Sequence, residues 1–93
     1  MGSVPRQRMM IRLTALVVDP IDGMTRILAD AQRFGLRVVW GEFGEHAGGS
    51  LITLDLASAE AVDLDNLHAR FDRYPCMIRL TLGETAAVLP RAA

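Results

Sequence analysis

Lysine is missing from this chain: all ten basic residues among its 93 are arginine. So uniform a replacement reads as genome-wide base composition, and no arginine is singled out merely for being one. Eleven acidic residues bring the net charge to −1. That leaves no positive excess to neutralise a phosphate backbone, which argues against a nucleic-acid binder. Cysteine is reduced to Cys76, so an intramolecular disulfide and a cysteine-built metal cage are both excluded. At the head of an apolar run, Cys76 reads as a small buried hydrophobe. Apolar runs stop well short of the ~20 residues a bilayer span needs. The first ten residues carry Pro5, Arg6 and Arg8 and lack the apolar core of a secretory signal. These absences predict a soluble, cytoplasmic protein with no membrane partner.

Catalytic side chains are scarce as well. His46 lies in a glycine-rich stretch near Glu42 and Glu45, and His68 falls in a helical pattern. A divalent cation held by His46, Glu42 and Glu45 is weighed against a solvated hairpin, and the hairpin is favoured. Asp63, Asp65 and Asp72 with Arg70 and Arg73 read as a water-facing helix surface, worth tenths of a kcal/mol per pair. No nucleophile–base pair can be assembled, so the expectation is a non-enzyme without catalytic residues, metal or cofactor of its own.

What the chain does have is apolar content, at 51%. That excludes intrinsic disorder and supplies one modest core. Residues 1–8 read as a flexible lead, 9–82 as one domain and 83–93 as a flexible tail. The first strand, Met9 to Val18, alternates Ile11, Leu13, Ala15 and Val17 against Arg12, Thr14, Leu16 and Val18. A helix over 23–34 places Met24, Ile27, Leu28, Ala31 and Phe34 on one side and stops at Gly35. Strand two spans Leu36 to Phe43, and 44–49 is a flexible loop. Strand three spans Ser50 to Ala57. A second helix, capped by Ser58 or Asp63, carries Leu64, Leu67 and Phe71 and ends before Tyr74-Pro75. Strand four is Cys76 to Leu82.

That order is βαββαβ, an α+β, ferredoxin-like arrangement: an antiparallel four-stranded sheet with two helices on one face. Right-handed crossovers place strands one and three in the centre. The uncovered face is expected to present Leu16, Val39, Phe43, Leu51 and Met77 as an interface, next to the bare edge of strand two. Two copies joining edge to edge, or a partner covering the face, would each satisfy it. Trp40 shares the parity of Leu36 and Val38, so it is expected to point into the core, although an anchoring role at the edge stays open.

The stretch Asp19-Pro20-Ile21-Asp22-Gly23-Met24 links strand one to helix one. Asp22 reads as the helix N-cap. Gly23 leaves room for a small carboxylate to approach the free amides of the first turn. A plain capped turn with nothing bound is the more common outcome.

Strand, Asp-Pro turn, and a helix ending in Arg33-Phe34-Gly35-Leu36-Arg37-Val38 together resemble the ACT-domain family. The segment Leu54-Asp55-Leu56-Ala57-Ser58-Ala59-Glu60-Ala61-Val62-Asp63-Leu64, followed by Leu67, is similar to short regulatory subunits of acetohydroxyacid synthase. The likeness covers 9–82. It implies a non-catalytic regulatory subunit in branched-chain amino acid biosynthesis that activates a large catalytic subunit. Thiamine diphosphate would sit on that partner only. It also implies a homodimer and, in some members, a branched-chain amino acid effector between the first loop and a neighbouring strand two. Carried over by position, the ligand contacts are Asp19, Asp22, Gly23 and Met24, with Val39, Trp40 and Gly41 nearby. Here Pro20 and Gly23 are separated by Ile21 and Asp22, and Asp22 would compete with an incoming carboxylate. Partner binding therefore carries over better than effector binding. The alternative is a stand-alone amino-acid-sensing ACT dimer serving another enzyme.

Overall fold

The computed structural model describes residues 9–85. Expectations for 1–8 and for the end of the tail, 86–93, lie outside the described residues. Six elements follow in the order β1 (Met9–Val17), α1 (Pro20–Arg33), β2 (Leu36–His46), β3 (Gly49–Ser58), α2 (Leu64–Phe71) and β4 (Met77–Thr85). The strands form one sheet in the order β2-β3-β1-β4, and every neighbouring pair is antiparallel. This is the ferredoxin-like arrangement, with β1 and β3 central.

The alternation read in β1 is the alternation of burial up to Ala15; beyond it Leu16, on the open side, is also buried, at 7% exposure. Ile11, Leu13, Ala15 and Val17 are fully buried, whereas Arg12 is exposed. From β3 come Ile52, Leu54 and Leu56; the helices add Ile27, Ala31, Leu67 and Phe71. Phe71 is the largest fully buried side chain. Packing this set removes apolar surface from water at roughly 25 cal/mol per Å², which is what holds the helices to one face.

Several boundaries differ from expectation, each for a local reason. α1 begins at Pro20, three residues early, because Asp19 rather than Asp22 is the N-cap. Its carboxylate accepts from the amides of Ile21 (3.0 Å) and Asp22 (3.4 Å). Proline suits the first helical position, where its missing N–H costs nothing. The buried stripe of α1 is Gly23, Ile27, Asp30 and Ala31, so Leu28 and Phe34 turn outward, each 41% exposed.

β2 continues to His46, and the expected flexible loop shrinks to Ala47-Gly48. Gly48 has φ +88°, a conformation that favours glycine and permits so short a connection. Asp63, not Ser58, caps α2, accepting from Asp65 and Asn66 at 3.0 and 3.3 Å. Ser58 Oγ instead accepts from the Glu60 amide at 3.2 Å. β4 extends to Thr85, because Gly83, Glu84 and Thr85 still pair with Arg12, Ile11 and Met10.

Candidate interaction surface

The face of the sheet away from the helices is built in rows set by register. One row reads Thr81, Thr14, Thr53 and Glu42; the next reads Gly83, Arg12, Asp55 and Trp40. A third holds Arg79, Leu16, Leu51 and Gly44. The face is therefore mixed, with an apolar pair (Leu16 and Leu51), a row of hydroxyls and one ion pair at its centre.

That ion pair is a fork. Arg12 Nε and Nη2 donate to the two carboxylate oxygens of Asp55 at 2.8 and 2.9 Å. The hydrogen bonds from Arg12 hold the Asp55 carboxyl below its usual range, although burial pushes the other way. Asp55 reciprocally raises the Arg12 guanidinium. The guanidinium also lies over the Trp40 ring, 5.9 Å from its centroid.

Trp40 is thus on the open face, not in the core. The reason is a β-bulge: Val38 pairs with Leu56 and Trp40 with Asp55, leaving Val39 as the extra residue. In a regular strand Trp40 would stand opposite Leu54 on the helix side. Gly41 takes that place, and even its β-carbon would collide with Leu54 Cδ2. An indole there would have to displace the Leu54 side chain.

Two residues expected on the open face point the other way. Phe43 pairs with Ile52 on the helix side, where it is left 62% exposed beyond the helices' cover. Met77 pairs with Val17, because the register of β4 shifts between Leu16 and Val17 and absorbs Ile78. It packs against the core. Leu16, Leu51 and the bulge residue Val39 do lie on or beside the open face.

The first turn of α1 spends its groups internally. Asp19 occupies the amides of Ile21 and Asp22, and Asp22 accepts from Arg26 Nε at 3.0 Å. Gly23 is buried; a β-carbon there would lie 2.9–3.0 Å from Val17 side-chain carbons, so its missing side chain serves helix-to-strand contact. Met24 packs on the core. Within one chain this turn is not brought to Val39, Trp40 and Gly41. Trp40 shares the row of Arg12, five residues or about 17 Å along β1 from Val17, where α1 begins.

His68 and Cys76 are engaged within the fold. His68 Nε2 meets the Leu80 carbonyl at 3.1 Å. Burial, and then a hydrogen bond with Asp22, raise the Cys76 thiol. His46 is exposed at the end of β2. Among the described residues no group of three or more His, Cys, Asp or Glu is arranged to hold a metal.

The spacing of α1 puts Asp30 with Thr25, Arg26 and Arg33 on the water-facing side, yet it is a buried carboxylate in the apolar stripe. It is surrounded by the Tyr74 hydroxyl, Arg33 (3.4 Å) and Arg70 (3.5 Å). Its place one residue before Ala31 and three after Ile27 was the available sign. Burial and the hydrogen bond to Asp30 push the Tyr74 phenol far above its usual value. This cluster ties α1 to α2 and the segment before β4. A groove of about 340 Å³ beside it is lined by Phe34, Val62, Leu67, Arg70 and Arg73, but Arg70 is held by Asp30 and lies over the Phe34 ring.

β2, with the face it borders, is left uncommitted by these contacts. Ten of its eleven residues are exposed, Val38, Val39, Trp40 and Phe43 by 40–62%. A 290 Å³ hollow runs along it between Glu42, Glu45 and Leu51.

A ferredoxin-like sheet with β2 and β4 at its edges and, among the described residues, helices on one face only defines a class of small α+β domains. No family model and no curated protein matches the sequence. Among solved structures, the chain is similar to the C-terminal domain of the MgtC protein from Mycobacterium tuberculosis. The TM-score is 0.65 at 12% identity, over 91% of this chain and 94% of that one. At that identity the likeness is one of fold alone. No helix among the described residues is long and apolar enough to cross a membrane.

Proposed function

We propose that this chain is a non-catalytic regulatory subunit of acetohydroxyacid synthase, which binds and activates the large catalytic subunit through the open sheet face and the β2 edge. The observation that carries partner binding is β2 itself: an eleven-residue edge strand with four large apolar side chains in water. An unpaired edge flanked by apolar side chains is a template for another polypeptide. The choice of partner rests on the resemblance over 54–67 and on the ACT-like fold. Thiamine diphosphate belongs to the catalytic partner in this proposal.

Amino-acid sensing at the first turn of α1 has weaker support. Two first-turn amides already bond to Asp19, and Asp22 adds negative charge where a carboxylate would approach. Co-expression with the large subunit, followed by an assay of acetolactate formation, tests the proposal. The expected outcome is co-purification with a raised rate; absence of both would overturn it.

A further inference from the structure

Trp40, the sole tryptophan of the chain, stands 46% exposed on an edge strand. It is nevertheless held in place. The Arg12 guanidinium lies over its ring, and Asp55 holds that guanidinium through two hydrogen bonds. The bulge at Val39 turns the indole onto the open face. The fold thus displays its largest aromatic side chain on the bare face and braces it there with an ion pair. A half-exposed indole adds less to the core than a buried one. Tryptophan and arginine are, however, the side chains most enriched where binding energy concentrates.

We infer that Trp40, braced by Arg12 and Asp55, is the anchor by which the open sheet face docks on the catalytic subunit, an inference that rests on the partner-binding reading above. The surroundings specify the chemistry of the surface that receives it. Arg12 and Asp55 cancel each other; the adjoining row offers the hydroxyls of Thr14, Thr53 and Thr81 and ends in Glu42, whose charge is offset by Arg79 in the row beyond. The centre of the face thus has no net charge to pair with a charged patch, whose desolvation would go uncompensated. The fitting surface is uncharged, with an apolar recess for an indole and polar groups for the threonines.

The area agrees with a docked partner. Four strands at about 4.8 Å spacing and about 30 Å of strand length give a projected face near 570 Å². The exposed β2 edge brings this toward the ~800 Å² per partner of a standard interface. Because the indole is already braced, little side-chain freedom is lost on docking.

The test uses the full chain grown with fluorotryptophan, so that Trp40 is its one fluorine reporter, and the unlabelled large subunit. Adding the large subunit should shift or broaden that resonance. Trp40→Ala should weaken binding about thirtyfold, as a strong anchor does, with the thermal midpoint of the isolated chain nearly unchanged. Binding with an unmoved resonance would overturn the anchor and leave partner binding standing. A resonance that moves with the chain's own concentration would assign the face to a second copy and also overturn it. No binding by the unsubstituted chain would overturn both. Should Trp40→Ala fail to fold, the fluorine measurement on the unsubstituted sequence still decides.

Discussion

Asp55 shows how one side chain serves both the stability of the sheet and the display of a surface. Its carboxyl is held below the ordinary value of 3.8, chiefly by the hydrogen bonds from Arg12. The unfolded chain therefore binds this proton more readily than the folded one. The resulting stability is fully present above the ordinary carboxyl value and is lost as pH falls through the lower folded value. An acid titration followed by circular dichroism should show this as a steepening loss below about pH 4. Asp55→Asn should flatten that limb and lower stability at neutral pH, because Arg12 then loses its charged partner. Tyr74 works in the opposite direction: a phenol raised by burial and by Asp30 favours the folded chain below its ordinary value of 10.0 and ceases to do so as pH climbs above it.

Among the elements, α1 approaches the sheet closely at Gly23. Asp19-Pro20 starts it, and the second turn of the helix lies against Val17 because Gly23 brings no side chain. Gly23→Ala would press a methyl to within 2.9–3.0 Å of the Val17 side chain. Overpacking of this kind costs about 1–3 kcal/mol, or several degrees of Tm in a domain of this size. A glycine kept only to admit a ligand would tolerate alanine in the ligand-free protein, so urea unfolding of the variant separates the two roles. β2 is the opposite case, an element with almost no cover. Its bulge at Val39 and the charges of Arg37, Glu42 and Glu45 restrain indiscriminate edge pairing, while its apolar side chains remain available to a specific partner.

At the scale of the whole molecule, the buried apolar cluster of the described residues lies in one layer between helices and sheet. A chain of 93 residues has a total stability of about 5–14 kcal/mol. Phe71, fully buried in that layer, should cost about 3–5 kcal/mol when cut to alanine. Phe71→Ala should accordingly melt at far lower temperature and shift heavily into the insoluble fraction on expression. Exposed Trp40 should show no such effect on the isolated chain. That contrast, read by thermal melts of both variants, separates the face that folds the protein from the face that meets its partner.

The amino-acid order determined the element sequence, the central places of β1 and β3 and most of the core, because alternation in strands and 3.6-residue spacing in helices report directly which side chains avoid water. It also indicated that β2 would be an edge. It did not reveal where Trp40, Phe43 and Met77 would point. Those directions depend on two irregularities of register, at Val39 and at Ile78, and an extra residue in one strand is decided by what stands opposite it in another. The Leu54 side chain fills the place a regular register would give the indole, and the bulge turns Trp40 outward to Arg12 and Asp55. Likewise the helical spacing of α1 put Asp30 near the apolar stripe but could not show how its charge is compensated there, since the compensation comes from Arg70 and Tyr74, forty and more residues away along the chain. Local pattern settles which residues are apolar and how they repeat; only tertiary packing decides which of them are left facing water.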